Sequence, residues 1–385
     1  MSQLFVENKN EETFMMAVGF QCGSIHETEK DRGISHVLEH MMFRSNTFDK
    51  SLKLQKDFKK LGVTWNAYTT VDRTVYYVLC SSNICKRVVK LLLDITCKFS
   101  LSESEFKVGM NPIFEELSLN HRHDHSKSFW NILYDGTPYG NSVIGTKETL
   151  QNITFSKLRT FYNTHYGCPH IVTICHPKVY NTIKHMLPAC RNNVLLPMDM
   201  NHNRLMDSKH RVVLYSDEER GNLCYLGYPA SDSRSLACKF IAFILYHRLF
   251  EILREKHGVV YTPRVTYTSM LHIGHLCIHL KTSAITIPVL LKTVKKEIKM
   301  LQKINQSKYN LEVEAFKKHC DVIESGVTVA QLQKKVENSL FGVSGQQLPD
   351  MQSFKHICKM MFCRERCAFK FYTKSSVAMC LENTI

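Results

Sequence analysis

Apolar runs of two kinds alternate along the 385-residue chain. Stretches rich in β-branched and aromatic residues predict strands, and apolar positions three and four residues apart predict helices. In the first half these patterns predict a strand at 14–22, helices at 36–43 and 51–61, strands at 64–70 and 74–80, and helices at 84–99 and 106–120. Ser35 precedes the first of these helices and is predicted to be its N-cap.

The same order of elements returns in the second half. The predicted elements there are strands at 210–215 and 222–228, a long helix at 235–256, strands at 265–269 and 275–280, and a helix at 287–303. The residues between the two halves show no periodicity. The sequence therefore predicts an α+β protein with a diverged internal repeat, in which 1–192 and 209–385 are the two repeats and 193–208 is a linker.

Composition narrows the class of protein. Hydrophobic residues make up 44% and charged residues 22%, which is typical of a folded soluble protein. No apolar run approaches the roughly 18 to 20 residues that span a bilayer, so no membrane span is expected. The 15 cysteines are scattered and odd in number, which favours reduced thiols over a disulfide framework. Neither a signal nor a transit peptide is recognised, so a cytoplasmic location is expected, with a nuclear or particle-associated one left open.

The formal net charge of +15 favours acidic partners or surroundings. No block of Arg and Lys, and no basic stretch interleaved with aromatic residues, concentrates this charge along the sequence. That pattern favours a solvated basic surface over a nucleic-acid site. Nucleic-acid binding rests on net charge alone and is not expected.

His36, Glu39 and His40 form the pattern H-x-x-E-H. Histidines four residues apart project from the same face of a helix and can bind one metal ion, and Glu39 is close enough to reach a water on that metal. This order is the inverted zinc-peptidase signature. Two ordinary histidines on a helix are the alternative, and a two-histidine site needs a third ligand, usually a carboxylate.

The surrounding residues resemble the pitrilysin family, which includes insulysin and the mitochondrial processing peptidases. The resemblance runs through 23–24, 33–46, 61–70 and 73–77. It implies two structurally similar repeats, each a mostly antiparallel β-sheet flanked by helices, with one zinc per chain. In that family the third zinc ligand is a glutamate, and a spacing of 77 residues from Glu39 falls on Glu116 rather than on its neighbour Glu115.

The second half carries a further match, at 247–261. By resemblance, Arg254 and Tyr261 of this otherwise metal-free repeat hydrogen-bond the substrate carbonyl and the oxyanion that develops there. The ordinary alternatives are a salt bridge from Arg254 to Glu255 and a strand-core position for Tyr261.

Substrate binding is expected at a sheet edge of the first repeat. A peptide is predicted to add as an extra strand beside Asn66, Ala67 and Tyr68. Backbone hydrogen bonds would then supply the binding, and side-chain specificity would come from neighbouring pockets.

One position departs from the family pattern. The family usually has a second glutamate seven residues before the ligand, where it supports the metal site, and this chain has Gly109 there. Glu115 is the candidate substitute in this supporting role.

The resemblance implies a zinc metalloendopeptidase that cleaves short or unfolded polypeptides, with Glu39 as general base. The alternative is a catalytically weak or inactive subunit of the same fold, serving in peptide binding or assembly. A family chamber needs four repeats, so the chain is expected to form a homodimer or a heterodimer with a related chain. His121, His123 and His125 lie close together after Glu116. They could form a second metal site, but an exposed helix end is the favoured interpretation.

Overall fold

The structure, a computed structural model, describes residues 3–44, 56–120, 133–134, 137–167, 169–188, 210–215, 222–231, 235–270, 273–282, 287–325, 328–341, 347–362 and 367–372. The predicted linker at 193–208 lies outside these residues, as do His121, His123 and His125. The chain forms two compact units.

The described residues of the first unit lie within 1–124, 141–199 and 324–344, and those of the second within 125–140, 200–323 and 345–385. Each unit thus includes one segment from the other half of the sequence. The repeats predicted at 1–192 and 209–385 do not include this exchange of segments between the two halves. The reason is that hydrophobic periodicity shows that a segment is amphipathic but does not show which sheet the segment covers.

Each unit contains a five-stranded sheet. The first has the order β1-β5-β2-β4-β3, with strands β1 (Gln3–Glu7), β2 (Thr13–Phe20), β3 (Thr64–Thr69), β4 (Thr74–Ser81) and β5 (His170–Cys175). The second has the order β10-β6-β7-β9-β8, with strands β6 (His210–Tyr215), β7 (Asn222–Ser231), β8 (Arg264–Met270), β9 (Ile273–Thr282) and β10 (Cys367–Tyr372). Each sheet contains one parallel pair of strands, β1–β5 in the first sheet and β6–β10 in the second. The other neighbouring strands are antiparallel. The predicted fold class is confirmed.

Helices pack against both sheets. In chain order they are α1 (Ile34–Met42), α2 (Cys85–Cys97), α3 (Glu103–Asn120), α4 (Lys147–Asn152), α5 (Phe155–His165), α6 (Pro177–Ile183), α7 (Ser235–Leu249), α8 (Ile287–Gln302), α9 (Gln306–Ser325), α10 (Val329–Phe341) and α11 (Met351–Met361). The helix predicted at 235–256 continues from α7 as a π-helix over Phe250–Lys256. None of the helices in the described ranges is long and apolar enough to cross a membrane. The cysteines whose side chains are described are free thiols.

Strand β2 is buried on both of its faces, which explains its unbroken apolar sequence. Phe14, Met16 and Val18 point into the core beneath α1 and α2. Met15 and Ala17 point to the opposite face. The first sheet is therefore an inner layer with helices on both sides.

Helix α10 covers this opposite face, although it comes from the C-terminal half of the chain. Its residues Leu332, Val336 and Leu340 are buried against the sheet. The helix lies so close that a Cβ added at Gly19 would be 3.0 Å from Val336 Cγ1. The unit that contains the H-x-x-E-H motif is thus completed by a segment near residue 330.

We expect Leu332→Ala to destabilise the first unit by about 3 kcal/mol, because the fully buried leucine leaves a cavity between α10 and the sheet. Thermal unfolding followed by circular dichroism measures the loss. Gln333→Ala, at the partly exposed neighbouring position, is the matched control and should leave the melting temperature nearly unchanged. Equal melting temperatures for Leu332→Ala and the unaltered chain would show that α10 does not support this sheet.

Candidate metal centre

Three side chains from α1 and α3 converge in the first unit. His36 Nε2 lies 3.6 Å and His40 Nε2 lies 3.4 Å from Glu116 Oε2, and the three donor atoms all lie within 4.8 Å of one another. Ligands of a tetrahedral zinc ion are roughly 3.3 Å apart, so these separations fit zinc. Within the described residues this is the one group of three or more His, Cys, Asp or Glu donors with such spacing.

The geometry follows from two helices that pack together. One turn of α1 places His36 and His40 on the same face, with their ring centroids 4.6 Å apart. Helix α3 packs against α1 and brings Glu116 to both rings. His36 is buried, and His40 and Glu116 are partly exposed, so a fourth ligand can reach the site from solvent.

Glu39 is buried beside this group and is tied to strand β3. Its Oε2 accepts a hydrogen bond of 2.7 Å from the Thr69 hydroxyl. Burial raises the pKa of Glu39 above its usual value, and the Glu116 carboxylate adds to this, while the Thr69 hydrogen bond and His40 act in the opposite direction. A carboxylate with a raised pKa beside a metal site is suited to accept a proton and return it.

The start of α1 differs from the prediction that Ser35 is its N-cap. The helix begins at Ile34, and Gly33 is the cap residue with φ +96°, a left-handed conformation that favours glycine. A Cβ at Gly33 would also lie 2.8 Å from the Ile144 carbonyl oxygen. Ser35 is buried in the first turn instead, so the predicted cap was wrong.

Because Gly33 has no side chain, a distant carboxylate caps the helix. The Gly33 N–H donates to Glu27 Oε2 at 2.7 Å, and the Ser35 N–H donates to Glu27 Oε1 at 2.9 Å. A carboxylate at this end also interacts favourably with the helix dipole. Burial raises the pKa of Glu27 to about 7 against the effect of these hydrogen bonds. Sequence reasoning missed Glu27, since capping rules consider only residues adjacent to the helix.

We expect Glu27→Gln to weaken zinc binding about tenfold, because the amide NH₂ faces a backbone donor and one of the two bonds that orient α1 is lost. Titration with a zinc-competing chelator measures the dissociation constant. Glu29→Gln makes the same chemical change at a nearby exposed position and is the control. The same zinc affinity in both variants would contradict a positioning role for Glu27.

Gly109 lies where α3 crosses α1. A Cβ there would be 2.6 Å from Met41 Sδ and 3.0 Å from Arg44 Cδ, so the glycine permits the close packing of the two helices. Met41 therefore occupies the space into which a larger side chain at 109 would extend. Glu115 is exposed on α3, and among the described residues no hydrogen bond or ion pair links its carboxylate to the site, because adjacent helical residues point about 100° apart. The structure gives no support to Glu115 as a substitute.

Strand β3, with Asn66, Ala67 and Tyr68, lies at the edge of the first sheet. Among the described strands only β4 pairs with it, so no described strand occupies its outer edge. The Ala67 N–H donates to the Asn66 side-chain oxygen at 2.9 Å. This edge is continuous with Thr69, whose hydroxyl contacts Glu39.

Arg254 and Tyr261 come together in the second unit. The Arg254 guanidinium lies 5.0 Å from the Tyr261 ring centroid and 4.8 Å from that of Phe250, and its Nε pairs with Glu255 at 3.3 Å. Arg254 is on the π-helix, an irregularity often found at functional sites. Tyr261 is 82% exposed, which excludes the strand-core alternative. Their role in catalysis stays a prediction.

Comparison with known protein families identifies the family of the chain. The family description "Insulinase (Peptidase family M16)" matches residues 4–147, and "Peptidase M16 inactive domain" matches residues 197–315. The chain belongs to peptidase family M16, the insulinase or pitrilysin family. The first match includes His36, Glu39, His40 and Glu116, and the second includes Arg254 and Tyr261.

Several known proteins are similar to the chain in sequence. The chain is 25% identical over 308 residues to an uncharacterized zinc protease of Rickettsia felis, covering 74% of this chain and 72% of that protein. It is 29% identical over 186 residues to the mitochondrial-processing peptidase subunit beta of Rattus norvegicus, covering 46% of this chain and 38% of the relative. Over 174 residues it is 29% identical to cytochrome b-c1 complex subunit 1 of Mus musculus, with coverages of 43% and 35%. The chain thus spans little more than a third of these mitochondrial relatives.

Solved structures show the same fold. A protease from Helicobacter pylori superposes with a TM-score of 0.75 at 17% identity, covering 96% of both chains. Pitrilysin superposes with a TM-score of 0.73 at 17% identity, covering 97% of this chain and 44% of pitrilysin. At such identities the likeness establishes the M16 fold alone.

Proposed function

We propose that the chain is a zinc-dependent metalloendopeptidase that hydrolyses peptide bonds of short or unfolded polypeptides. The convergence of His36, His40 and Glu116 within 4.8 Å carries this proposal. Two imidazoles and one carboxylate form the donor set of catalytic zinc sites that leave a position for water. One zinc per chain is proposed.

When bound, zinc supplies Lewis acidity and lowers the pKa of a coordinated water to about 7. His36 and His40 would hold the ion as neutral imidazoles, with Glu116 ionised. Glu39 accepts the proton of the attacking water and donates it to the leaving amine. The hydroxyl of Thr69 keeps the Glu39 carboxylate oriented during both transfers.

The edge of β3 is the proposed peptide-binding surface. A peptide that adds beside Asn66, Ala67 and Tyr68 passes next to Thr69 and therefore next to Glu39. The hydrogen bond between the Ala67 N–H and Asn66 would be exchanged for one to the peptide backbone. Arg254 and Tyr261 are proposed to bind the substrate carbonyl and its developing oxyanion, and this assignment rests on the family resemblance.

A partner chain is part of the proposal. Two relatives are named as subunits, of the mitochondrial-processing peptidase and of the cytochrome b-c1 complex. We propose a homodimer or a heterodimer with a related chain, and a cytoplasmic location.

The second candidate is a catalytically weak or inactive subunit that binds peptides or supports an assembly. Gly109 favours it, because the family's supporting glutamate is absent there and Met41 fills the space. The complete donor set of His36, His40 and Glu116 favours the enzyme.

Digestion of a peptide library by the full chain, followed by mass spectrometry, distinguishes the two. An enzyme cleaves the library, loses this activity with a chelator and regains it with zinc. A chain that binds zinc and peptides but leaves every peptide intact is the assembly subunit.

A further inference from the structure

Helix α8 and the residue after it carry five exposed lysines, which we call the lysine row: Lys292, Lys295, Lys296, Lys299 and Lys303. Residues three, four and seven positions apart share one face of a helix, so these side chains lie on one side of α8. The row extends over about 16 Å along the helix axis. Apart from the adjacent Lys295 and Lys296, other residues separate the lysines in the sequence, which is why no basic block is visible there.

The opposite side of α8 is fixed in the core of the second unit. Leu290, Val294 and Leu301 are buried there. The one acidic residue of the helix, Glu297, is buried and pairs with Arg248 at 3.5 Å. The lysine row therefore faces solvent, and Glu297 does not neutralise it.

The helices packed against α8 bring no negative charge to it. Helices α7 and α11 pack against α8, and neither contains an acidic residue. Helix α11 contributes exposed Lys359. Across the part of the chain that the structure describes, no carboxylate forms an ion pair with Lys292, Lys296 or Lys299.

Apolar side chains are exposed on α8, among the lysines, and on the adjoining helix α11. Val289 is 51% and Met300 45% exposed on α8, three residues before Lys292 and one after Lys299, and Met360 on α11 is 43% exposed. Helix α8 contains no arginine and no aromatic residue. Nucleic-acid sites use arginine for bidentate contacts to phosphate and aromatic side chains for base stacking. Lysines beside exposed apolar groups match a surface with anionic headgroups above an acyl layer.

We propose that the lysine row binds anionic phospholipid bilayers and docks the protein on a membrane surface. The ammonium groups contact lipid phosphates and carboxylates, and Val289 and Met300 enter the headgroup boundary. This activity is separate from peptide hydrolysis and does not depend on the metal centre.

Sedimentation of the full chain with phosphatidylcholine vesicles, with and without phosphatidylserine, tests the proposal. Binding should require phosphatidylserine and weaken as salt is raised. A variant with the four substitutions Lys292→Gln, Lys296→Gln, Lys299→Gln and Lys303→Gln should bind the phosphatidylserine vesicles at least about tenfold more weakly than the unaltered chain. All four lysines are exposed, so the variant should melt at the same temperature as the unaltered chain.

A charge-matched control separates this surface from net charge. In this control, glutamine replaces four exposed lysines of the first unit: Lys59, Lys60, Lys86 and Lys90. The control should bind vesicles within about twofold of the unaltered chain. Equal loss in both variants would overturn the proposal in favour of a general effect of net charge. Failure of the unaltered chain to bind phosphatidylserine vesicles would also overturn the proposal. So would a preference for a DNA duplex over vesicles, if the DNA binding were lost when the lysine row is substituted.

Discussion

Replacing Glu39 with glutamine should lower kcat for peptide cleavage by about a thousandfold or more while zinc stays bound. The amide oxygen can still accept the hydrogen bond from Thr69, so the side chain keeps its position and loses only its ability to take a proton. Glu39 is not among the three metal donors, so the zinc content should match that of the unaltered chain. Steady-state kinetics and zinc analysis of the same sample measure both quantities.

Glu115→Gln is the matched control for this variant. It makes the same chemical change on an exposed side chain next to a metal donor, and it should retain full activity. Undiminished cleavage by Glu39→Gln would remove Glu39 from the reaction. Loss of zinc from Glu39→Gln would assign Glu39 to metal binding instead of proton transfer.

Replacing His40 with alanine should remove the metal. Only His36 and Glu116 remain as donors, which falls short of the three protein ligands of a catalytic zinc site. We expect zinc affinity to fall by at least about a hundredfold, since each ligand contributes several kcal/mol to binding. Zinc content after dialysis measures the loss, and cleavage should disappear with it.

His257→Ala, at an exposed position in the second unit, is the control for His40→Ala. A second readout is thermal: added zinc should raise the melting temperature of the control and of the unaltered chain, because a ligand that binds only the folded state stabilises it, and should not raise that of His40→Ala. Stoichiometric zinc in dialysed His40→Ala would contradict the ligand assignment.

Elements with a strong local pattern could be predicted from the sequence. The aromatic and β-branched residues at 64–70 and 74–80 predicted the antiparallel pair β3–β4, and helical spacing predicted α2 and α8. Strands β1 and β5 were missed, because they pair in parallel across more than 160 residues and each is only five or six residues long. The placement of α10 on the first sheet was missed for a related reason, since its partners on β2 and β5 lie more than 150 residues away.

The metal centre could be predicted in part. Helical spacing alone brought His36 and His40 together, whereas Glu116 depended on the family resemblance, because α3 is positioned by packing that no local pattern shows. Gly109 was interpreted as a lost carboxylate, and the structure adds that Met41 fills the space. Glu27 was missed because it reaches the start of α1 from six residues before Gly33.

The most direct test measures zinc content and peptide cleavage on one preparation of the full chain, before chelation, after it, and after zinc is added back. A zinc peptidase centred on His36, His40 and Glu116 contains one zinc per chain, loses cleavage when the zinc is removed and regains it when zinc returns. Cleavage that persists in the zinc-free chain, or a zinc-loaded chain that cleaves no peptide, would contradict the proposed function.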